Sequence, residues 1–301
     1  MTVTAQMVKE LREKTGAGMM ICKKALVECD GNIEQAIDWL REKGIAKAQN
    51  KVHRIAAEGL CNFVVDNNTA IIYEINSETD FVAKNEQFLA LVDTIGNILI
   101  KANVNDLNEA LNYEYEGKTL QALIMEKSAN IGEKVTFRRI EKIIKTDTQV
   151  FGAYKHMGGK IVVISVLEGE NEAVSKDVAM HVAAMNPKYL KEADVDNVAI
   201  EHEREMFTKE FENELENEEN EKAKAAKTAR IPQIVDGKIK KWLKEICLVD
   251  QPFVKNPDVT VKQYAKNNNS EIISFIRFEV GEGIEKRQDN FAEEVMAQVR
   301  A

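Results

Sequence analysis

The residue types that most often carry chemistry are present in this sequence, but their spacing matches no common catalytic pattern. The four histidines are scattered, and the four cysteines, Cys22, Cys29, Cys61 and Cys247, form no CxxC pair, so no zinc framework is indicated. No glycine-rich dinucleotide loop follows a strand, and neither a GxSxG elbow nor an HExxH helix is present. Carboxylates are abundant, yet nothing marks two of them as a general acid and base.

One short segment does stand out, namely SETDFVAKN at residues 77–85. It places the bulky Phe81 among polar residues at an expected helix N-terminus. One interpretation is structural, because Thr79 and Asp80 are common helix caps and Phe81 could close the helix onto a sheet as a hydrophobic staple. The other is functional: an exposed aromatic wedge beside a carboxylate on a rigid corner. The residues alone favour the structural interpretation.

Length and composition narrow the class of protein. A chain of 301 residues suggests two domains at roughly 100–200 residues each. The 41 basic and 50 acidic residues give a net charge of −9, which argues against binding nucleic acid through its phosphates. No apolar stretch approaches the ~18 residues of a membrane span, and the first residues resemble neither a signal peptide nor a transit segment. With unpaired cysteines, these features predict an acidic cytosolic protein.

A three-helix module is predicted at residues 1–54. Its apolar residues recur at spacings of three, four and seven, as on the inner faces of short amphipathic helices. Turn-forming residues at 15–18 and 30–32 separate the helices, and Gly44 is expected to end the third. The glycines at 16 and 18 do not predict a phosphate loop, because GxxxxGK[ST] is absent.

A strand–strand–helix pattern occurs twice and predicts an α+β core of two halves with antiparallel sheets. The first half is assigned to residues 55–146, with a tight turn at Asp66-Asn67-Asn68-Thr69. The second is assigned to residues 147–200 and 236–280, with a turn at Gly158-Gly159. Each half is then joined by one more strand, predicted at residues 135–143 and 272–280.

A charged insertion at residues 201–235 interrupts the second half. Residues 201–221 contain ten acidic and two basic side chains, whereas residues 222–241 contain one acidic and seven basic ones. Opposite charges on two helix-favouring arms predict an antiparallel helical hairpin, of the coiled-coil kind, stabilised by many small ion-pair terms. A solvated spacer is slightly favoured over a docking arm for a second chain.

The tail, residues 281–301, is predicted to form a C-terminal helix with an apolar stripe. Phe291 and Val295 lie on this stripe at helical spacing. Such a helix either folds back on its own core or lies in a groove of another protein, and periodicity does not decide between them.

Six motifs, which follow one another in the family's order, resemble the elongation factor Ts family, the guanine-nucleotide exchange factors of elongation factor Tu, and the resemblance covers essentially the whole chain. The signature-like segment is TDFVAKNEQF. LREKTGAGMMICKKAL with DGNIEQAIDWLREKG resembles that family's ubiquitin-associated-like N-terminal module. The other similar segments are ANIGEKVTFRRI with the His156-Met157-Gly158-Gly159 hairpin, HVAAMNPKYL, DQPFVKNPDVTV and RFEVGEGIEK.

This resemblance implies a bacterial or organellar translation factor that binds elongation factor Tu and performs no bond chemistry. The missing transit segment favours the bacterial cytoplasm. It implies no cofactor, because the protein acts on GDP and Mg²⁺ bound to the partner, and no contact with nucleic acid or membrane. One-to-one and two-to-two complexes both stay open. Dislocation of the partner's Mg²⁺ is assigned to Thr79, Asp80, Phe81 and Val82. Partner contacts are assigned to Met19, Met20, Lys23, Ala83, Lys84, Asn85, Ile131, Gly132, His156, Met157, Gly158, Phe291 and Val295.

Three positions depart from the family pattern. Ile21 stands where an acidic residue is frequent, so a polar contact there is in doubt. Lys84 and Lys160 stand where arginine is frequent, which keeps the charge but loses the bidentate fork.

Three other functions stay open beside nucleotide exchange. An adaptor would bind a GTPase equally well in both nucleotide states and shift no equilibrium. An enzyme could assemble a site from scattered carboxylates, and residues 222–241 could bind RNA with steep salt dependence. The adaptor ranks next after the exchange factor.

Overall fold

The computed structural model describes residues 3–15, 17, 19–49, 54–216, 225 and 227–285. The chain divides into two compact units. The first contains the described residues within Met1–Ile144, Lys155–Val162 and Phe278–Ala301, and the second contains those within Lys145–Tyr154 and Val163–Arg277. The finer division of the sequence into five segments stays a prediction.

The N-terminal module consists of three helices, as predicted: α1 (Ala5–Thr15), α2 (Met19–Glu28) and α3 (Ile33–Gln49). They share a small core whose buried side chains are Leu11, Ala17, Cys22, Ala25, Leu26 and Ala36. The prediction that Gly44 ends the third helix is wrong, because α3 continues to Gln49. A glycine costs a helix only about 1 kcal/mol relative to alanine, and the following alanines and lysine favour helix strongly enough to carry it on.

The first sheet has three antiparallel strands in the order β1–β2–β5: β1 (Glu58–Asp66), β2 (Thr69–Ser77) and β5 (Thr136–Ile144). Asp66 pairs with Thr69 across the turn, and Asn67 adopts a φ of 50° there. This confirms the predicted tight turn, since asparagine tolerates positive φ. The central strand β2 is buried from Ala70 to Ser77, so both of its faces are covered.

One face of this sheet packs against helices that follow in the chain: α4 (Asp80–Ala83), α5 (Glu86–Ala102), α6 (Leu107–Asn112) and α7 (Leu120–Ile131). A short ladder, β3 (Glu114–Tyr115) with β4 (Lys118–Thr119), lies between the last two helices. The core beneath includes Tyr73 and Phe88, which are both fully buried. The Tyr73 hydroxyl donates to the Val92 carbonyl at 2.9 Å, so the only polar atom of that side chain is satisfied.

The second sheet has the order β10–β7–β6, from β6 (Gln149–His156), β7 (Ile161–Glu168) and β10 (Glu271–Glu279). Helix α8 (Glu172–Met185) follows the hairpin. In both sheets the later strand lies beside the second strand of the hairpin, which confirms the predicted duplication of the pattern. The strand β6 approaches α8 so closely that a Cβ on Gly152 would stand 2.2 Å from the Ser175 backbone.

The described part of the charged insertion includes the helices α9 (Asn197–Glu216) and α10 (Ile231–Ile246). Ion pairs do join them, with Lys238 Nζ 2.7 Å from Glu210 Oε2. The ion-pair expectation was nevertheless incomplete, because the helices also share an apolar cluster that includes Leu215, Val235, Ile239 and Leu243. The second unit is completed by β8 (Pro252–Phe253), β9 (Asn256–Thr260) and α11 (Val261–Asn267).

These elements confirm the predicted α+β class with small antiparallel sheets. Among the described helices, none combines the length and the apolar character that crossing a membrane requires.

Candidate functional site

The segment that stood out in the sequence forms a corner between β2 and α5, and Phe81 stands on its outer side. Thr79 caps the single turn of α4, and its Oγ1 accepts a hydrogen bond from the Val82 N–H at 3.4 Å. Ala83 is buried and Val82 packs partly against the core, whereas Phe81 is 81% exposed. The staple interpretation of Phe81 is therefore wrong, and the corner presents the aromatic ring to solvent.

The corner is fixed by a residue that the sequence analysis missed, Glu133. Its Oε1 accepts from the Thr79 hydroxyl at 2.7 Å and its Oε2 accepts from the Thr79 N–H at 3.0 Å. The Ser77 hydroxyl donates to the Thr79 carbonyl at 3.0 Å, so the cap residue is bound from two sides. Glu78 accepts from the Lys134 N–H at 2.6 Å, which ties the same two segments together again. The backbone beneath Phe81 is thus cross-linked by hydrogen bonds.

Asp80 and Lys84 form an ion pair on the surface of this corner, with Nζ 2.7 Å from Oδ2. The hydrogen bond from Lys84 holds the pKa of Asp80 below its usual value, although desolvation acts the other way. Asp80 therefore carries a full negative charge at neutral pH. Asn85 caps the next helix by accepting from the Gln87 N–H at 2.8 Å, so this predicted contact residue also has a structural role.

The predicted contact residues 156–158 lie at a left-handed turn that approaches β1. Met157, Gly158 and Gly159 have φ values of 47°, 68° and 110°. A Cβ on Gly159 would stand 2.7 Å from the Cys61 carbonyl oxygen, so only glycine fits this approach. The turn exposes His156 and leaves Met157 73% exposed. A positive φ at an exposed methionine is unusual, and such backbone strain is concentrated at functional surfaces.

The end of α7 places Ile131 and Gly132 directly before Glu133, next to the Phe81 corner. Gly132 adopts a φ of 93° and its N–H donates to the Ser128 carbonyl at 3.1 Å, which ends the helix in a left-handed cap. A Cβ on Gly132 would meet no atom within 4 Å, so its conformation, and not crowding, calls for glycine. Ile131 is partly buried and packs against the apolar core beneath the first sheet.

The N-terminal module presents an apolar surface at the start of α2. Met19 and Met20 are exposed there, Met20 by 77%, and Lys23 is exposed one turn later. The module is joined to α7 by Asn130, whose Nδ2 donates to the Thr15 carbonyl at 3.1 Å. A cavity of about 630 Å³ lies along this junction.

The first compact unit thus brings together three predicted segments that are distant in sequence. Glu133 connects the Phe81 corner to the end of α7. The turn at residues 156–160 ends at Lys160, whose Nζ lies 2.6 Å from Glu58 Oε2 on β1. The positive charge of Lys160 also helps to lower the pKa of Asp80. Phe291 and Val295 lie outside the described residues. Within the part of the chain that the structure describes, no group of three or more His, Cys, Asp or Glu side chains could hold a metal ion.

Comparison with known proteins indicates one family. The sequence model of the family described as Elongation factor TS matches residues 78–282, which include the Phe81 corner, strand β5 of the first sheet, the second sheet and the charged hairpin. The elongation factor Ts of Acholeplasma laidlawii (strain PG-8A) is 52% identical over 300 residues, which cover 99% of each chain. The chain therefore belongs to the elongation factor Ts family, the cytoplasmic translation factors that exchange guanine nucleotide on elongation factor Tu.

Proposed function

We propose that this protein releases GDP from elongation factor Tu by placing Phe81 beside the switch region of the GTPase and Asp80 beside its Mg²⁺. The observation that carries the proposal is the exposure of Phe81, at 81%, on a corner that Glu133 holds by two hydrogen bonds. An exposed aromatic ring on a fixed backbone loses little conformational entropy on binding, so its contact energy is available for recognition.

The physical requirement for exchange is differential binding. A GTPase holds its nucleotide through phosphate-loop amides and a Mg²⁺ ion that demands near-ideal octahedral ligation. An exchange factor that binds the nucleotide-free GTPase more tightly than the nucleotide-bound form must, by linkage, weaken the binding of nucleotide by the same ratio. Acceleration by a thousandfold corresponds to about 4 kcal/mol of barrier, and no covalent bond has to be made or broken.

Asp80 suits the second role because it is ionised at neutral pH. Its carboxylate lies at the N-terminus of α4, one position before Phe81, and is paired with Lys84 at 2.7 Å. A negative charge brought beside a Mg²⁺ site competes with the anionic ligands and phosphates that the metal holds in place. Thr79, Val82, Ala83 and Lys84 then position the pair.

The remaining contacts are assigned as the resemblance implies. The nucleotide-binding domain of the partner is contacted by Met19, Met20 and Lys23. Its phosphate-binding loop lies near Ile131 and Gly132. His156, Met157 and Gly158 hold another domain. The C-terminal segment with Phe291 and Val295 packs onto the nucleotide-binding domain. Exposure of the methionines and of the 156–158 turn supports these assignments.

The experiment that tests the proposal follows release of a fluorescent GDP from purified elongation factor Tu, chased with excess GDP, as this protein is titrated. Acceleration that rises and then saturates is the expected result. Binding without acceleration would support an adaptor instead, since an adaptor engages both nucleotide states equally. With neither binding nor acceleration, the assignment of sites to the Phe81 corner would be abandoned.

A further inference from the structure

A buried carboxylate, Glu74, lies on the face of the first sheet that is turned away from its helices. The neighbouring residues Tyr73 and Ile75 of β2 belong to the apolar core. Because side chains alternate along a strand, Glu74 points to the opposite face, where it is 0% exposed. Neither the exposed corner nor the turn at residues 156–160 uses this group.

An irregularity in β5 directs two arginines at this one carboxylate. Glu74 pairs with Arg139, but the next residue of β2, Ile75, pairs with Phe137, so Arg138 is an extra residue in the ladder. In a regular strand, consecutive side chains would point to opposite faces, and a β-bulge removes this restriction. Arg138 Nη1 accordingly lies 3.0 Å from Glu74 Oε1, and Arg139 Nε lies 2.5 Å from Oε2.

The same cluster binds the main chain at the end of β10. The Gly281 N–H donates to Glu74 Oε1 at 2.8 Å. Arg139 Nη2 donates to the Glu279 carbonyl at 2.9 Å, and Arg138 Nη2 donates to the Glu282 carbonyl. Three main-chain groups, on Glu279, Gly281 and Glu282, are therefore bound by Glu74 and its two arginines.

Close packing at Gly281 holds the segment from its other side. Gly281 has a φ of 72°, and a Cβ there would stand 2.2 Å from the Ala57 carbonyl oxygen. Arg139 also stacks on the Phe278 ring, with its guanidinium carbon 4.0 Å from the ring centroid. The main chain at residues 278–282 thus has one position on the sheet.

We infer that Glu74 is a positioning residue for nucleotide exchange: with Arg138 and Arg139 it fixes the main chain at residues 279–282, which precedes the C-terminal segment. The inference rests on the proposed function, in which Phe291 and Val295 contact the partner. A buried ionic cluster adds little net stability compared with apolar packing, whereas its directed hydrogen bonds specify position. Here the bonds go to main-chain atoms immediately before the C-terminal segment.

The test uses the full chain with Glu74→Gln, which keeps the size of the side chain and removes its charge. GDP release from elongation factor Tu is titrated to give a half-saturating concentration and a maximal rate. We expect the half-saturating concentration to rise roughly tenfold while the maximal rate is retained, because the Phe81 corner is untouched. Asp177→Asn is the matched control, since it also removes an ion-paired carboxylate, 2.6 Å from Lys255, and should change neither quantity.

A double-mutant cycle distinguishes positioning from a general structural effect. In a chain that already carries Phe291→Ala and Val295→Ala, Glu74→Gln should cause no further change, because the segment that it positions no longer binds. Additive effects, a lowered maximal rate or an unchanged half-saturating concentration would each overturn the inference. Normal binding of elongation factor Tu by the variant with Phe291→Ala and Val295→Ala would also overturn the inference.

Folding is checked by circular dichroism. If Glu74→Gln does not fold, Arg138→Gln decides in its place, since Arg138 is partly exposed and its loss leaves Arg139 on the carboxylate. If the Phe81 assignment is wrong, Phe81→Ala will leave the maximal rate unchanged. If the Glu74 inference is wrong, Glu74→Gln will give one of the contrary results above, so the two failures are distinguishable.

Discussion

Replacing Phe81 with alanine tests whether this side chain contributes to binding of the partner or to folding of the protein. The ring is 81% exposed in the free protein, so its removal should change the free energy of unfolding by less than about 0.5 kcal/mol. Full burial of a phenylalanine side chain contributes roughly 1.5–3 kcal/mol. With 81% of the ring still to be buried, about 1.2–2.4 kcal/mol is available to the complex. At ~1.4 kcal/mol per tenfold, exchange should slow by roughly 7- to 50-fold.

The assay is stopped-flow release of fluorescent GDP at saturating protein, together with urea unfolding of the free variant. Val198→Ala is the control, because Val198 is 74% exposed on α9, far along the chain from the proposed contacts, and its truncation should change neither measurement. An unchanged maximal rate in Phe81→Ala would refute the wedge. A large loss of stability would show instead that the ring is needed for folding.

Three further predictions address the supports of this surface and the second unit. Glu133→Gln removes a charge-assisted acceptor from Thr79, so it should lower the free energy of unfolding by about 1–2 kcal/mol and slow maximal exchange, as urea unfolding and GDP release would show. A variant with normal stability and exchange would contradict the role of Glu133 in holding the corner. Gly159→Ala forces a Cβ to 2.7 Å from the Cys61 carbonyl oxygen at a φ of 110°, so it should cost about 1–3 kcal/mol and raise the half-saturating concentration without lowering the maximal rate. Loss of the maximal rate would argue against a purely positional effect. Burial lowers the pKa of His181, although its hydrogen bond with Gln251 acts the other way. The unfolded chain therefore takes up a proton below about pH 6.5 that the folded chain does not, and stability should fall by up to ~1.4 kcal/mol per pH unit there. Subtracting the pH profile of His181→Gln isolates this contribution, and identical profiles would contradict it.

The order of elements was predictable because local chemistry determines it. Asn67 and the Gly158-Gly159 pair supply the positive φ values that the two hairpin turns need, so the strands on either side could be placed. Gly44 misled, since a glycine weakens a helix without stopping one. The apolar cluster of the charged hairpin could have been predicted from Val235, Ile239 and Leu243, which recur at spacings of four. The opposite charges of the two arms suggested ion pairs alone.

The site was predictable only in part, because its supports come from distant parts of the chain. A staple and a wedge have the same sequence, and it is the exposure of Phe81 in the described structure that distinguishes them. Glu133 lies 54 residues from Thr79, and nothing in its own neighbourhood signals the hydrogen bonds that it accepts. The bulge that brings Arg138 and Arg139 to one carboxylate likewise depends on the register of β5 against β2.

The most direct test of the account compares the affinity of this protein for nucleotide-free and GDP-bound elongation factor Tu. Linkage predicts much tighter binding to the nucleotide-free form, and a matching loss of GDP affinity in the complex. Phe81→Ala should shrink this affinity ratio, and linkage requires an equal reduction in the loss of GDP affinity that the complex causes. Equal affinity for the two forms would contradict exchange by differential binding and identify the protein as an adaptor.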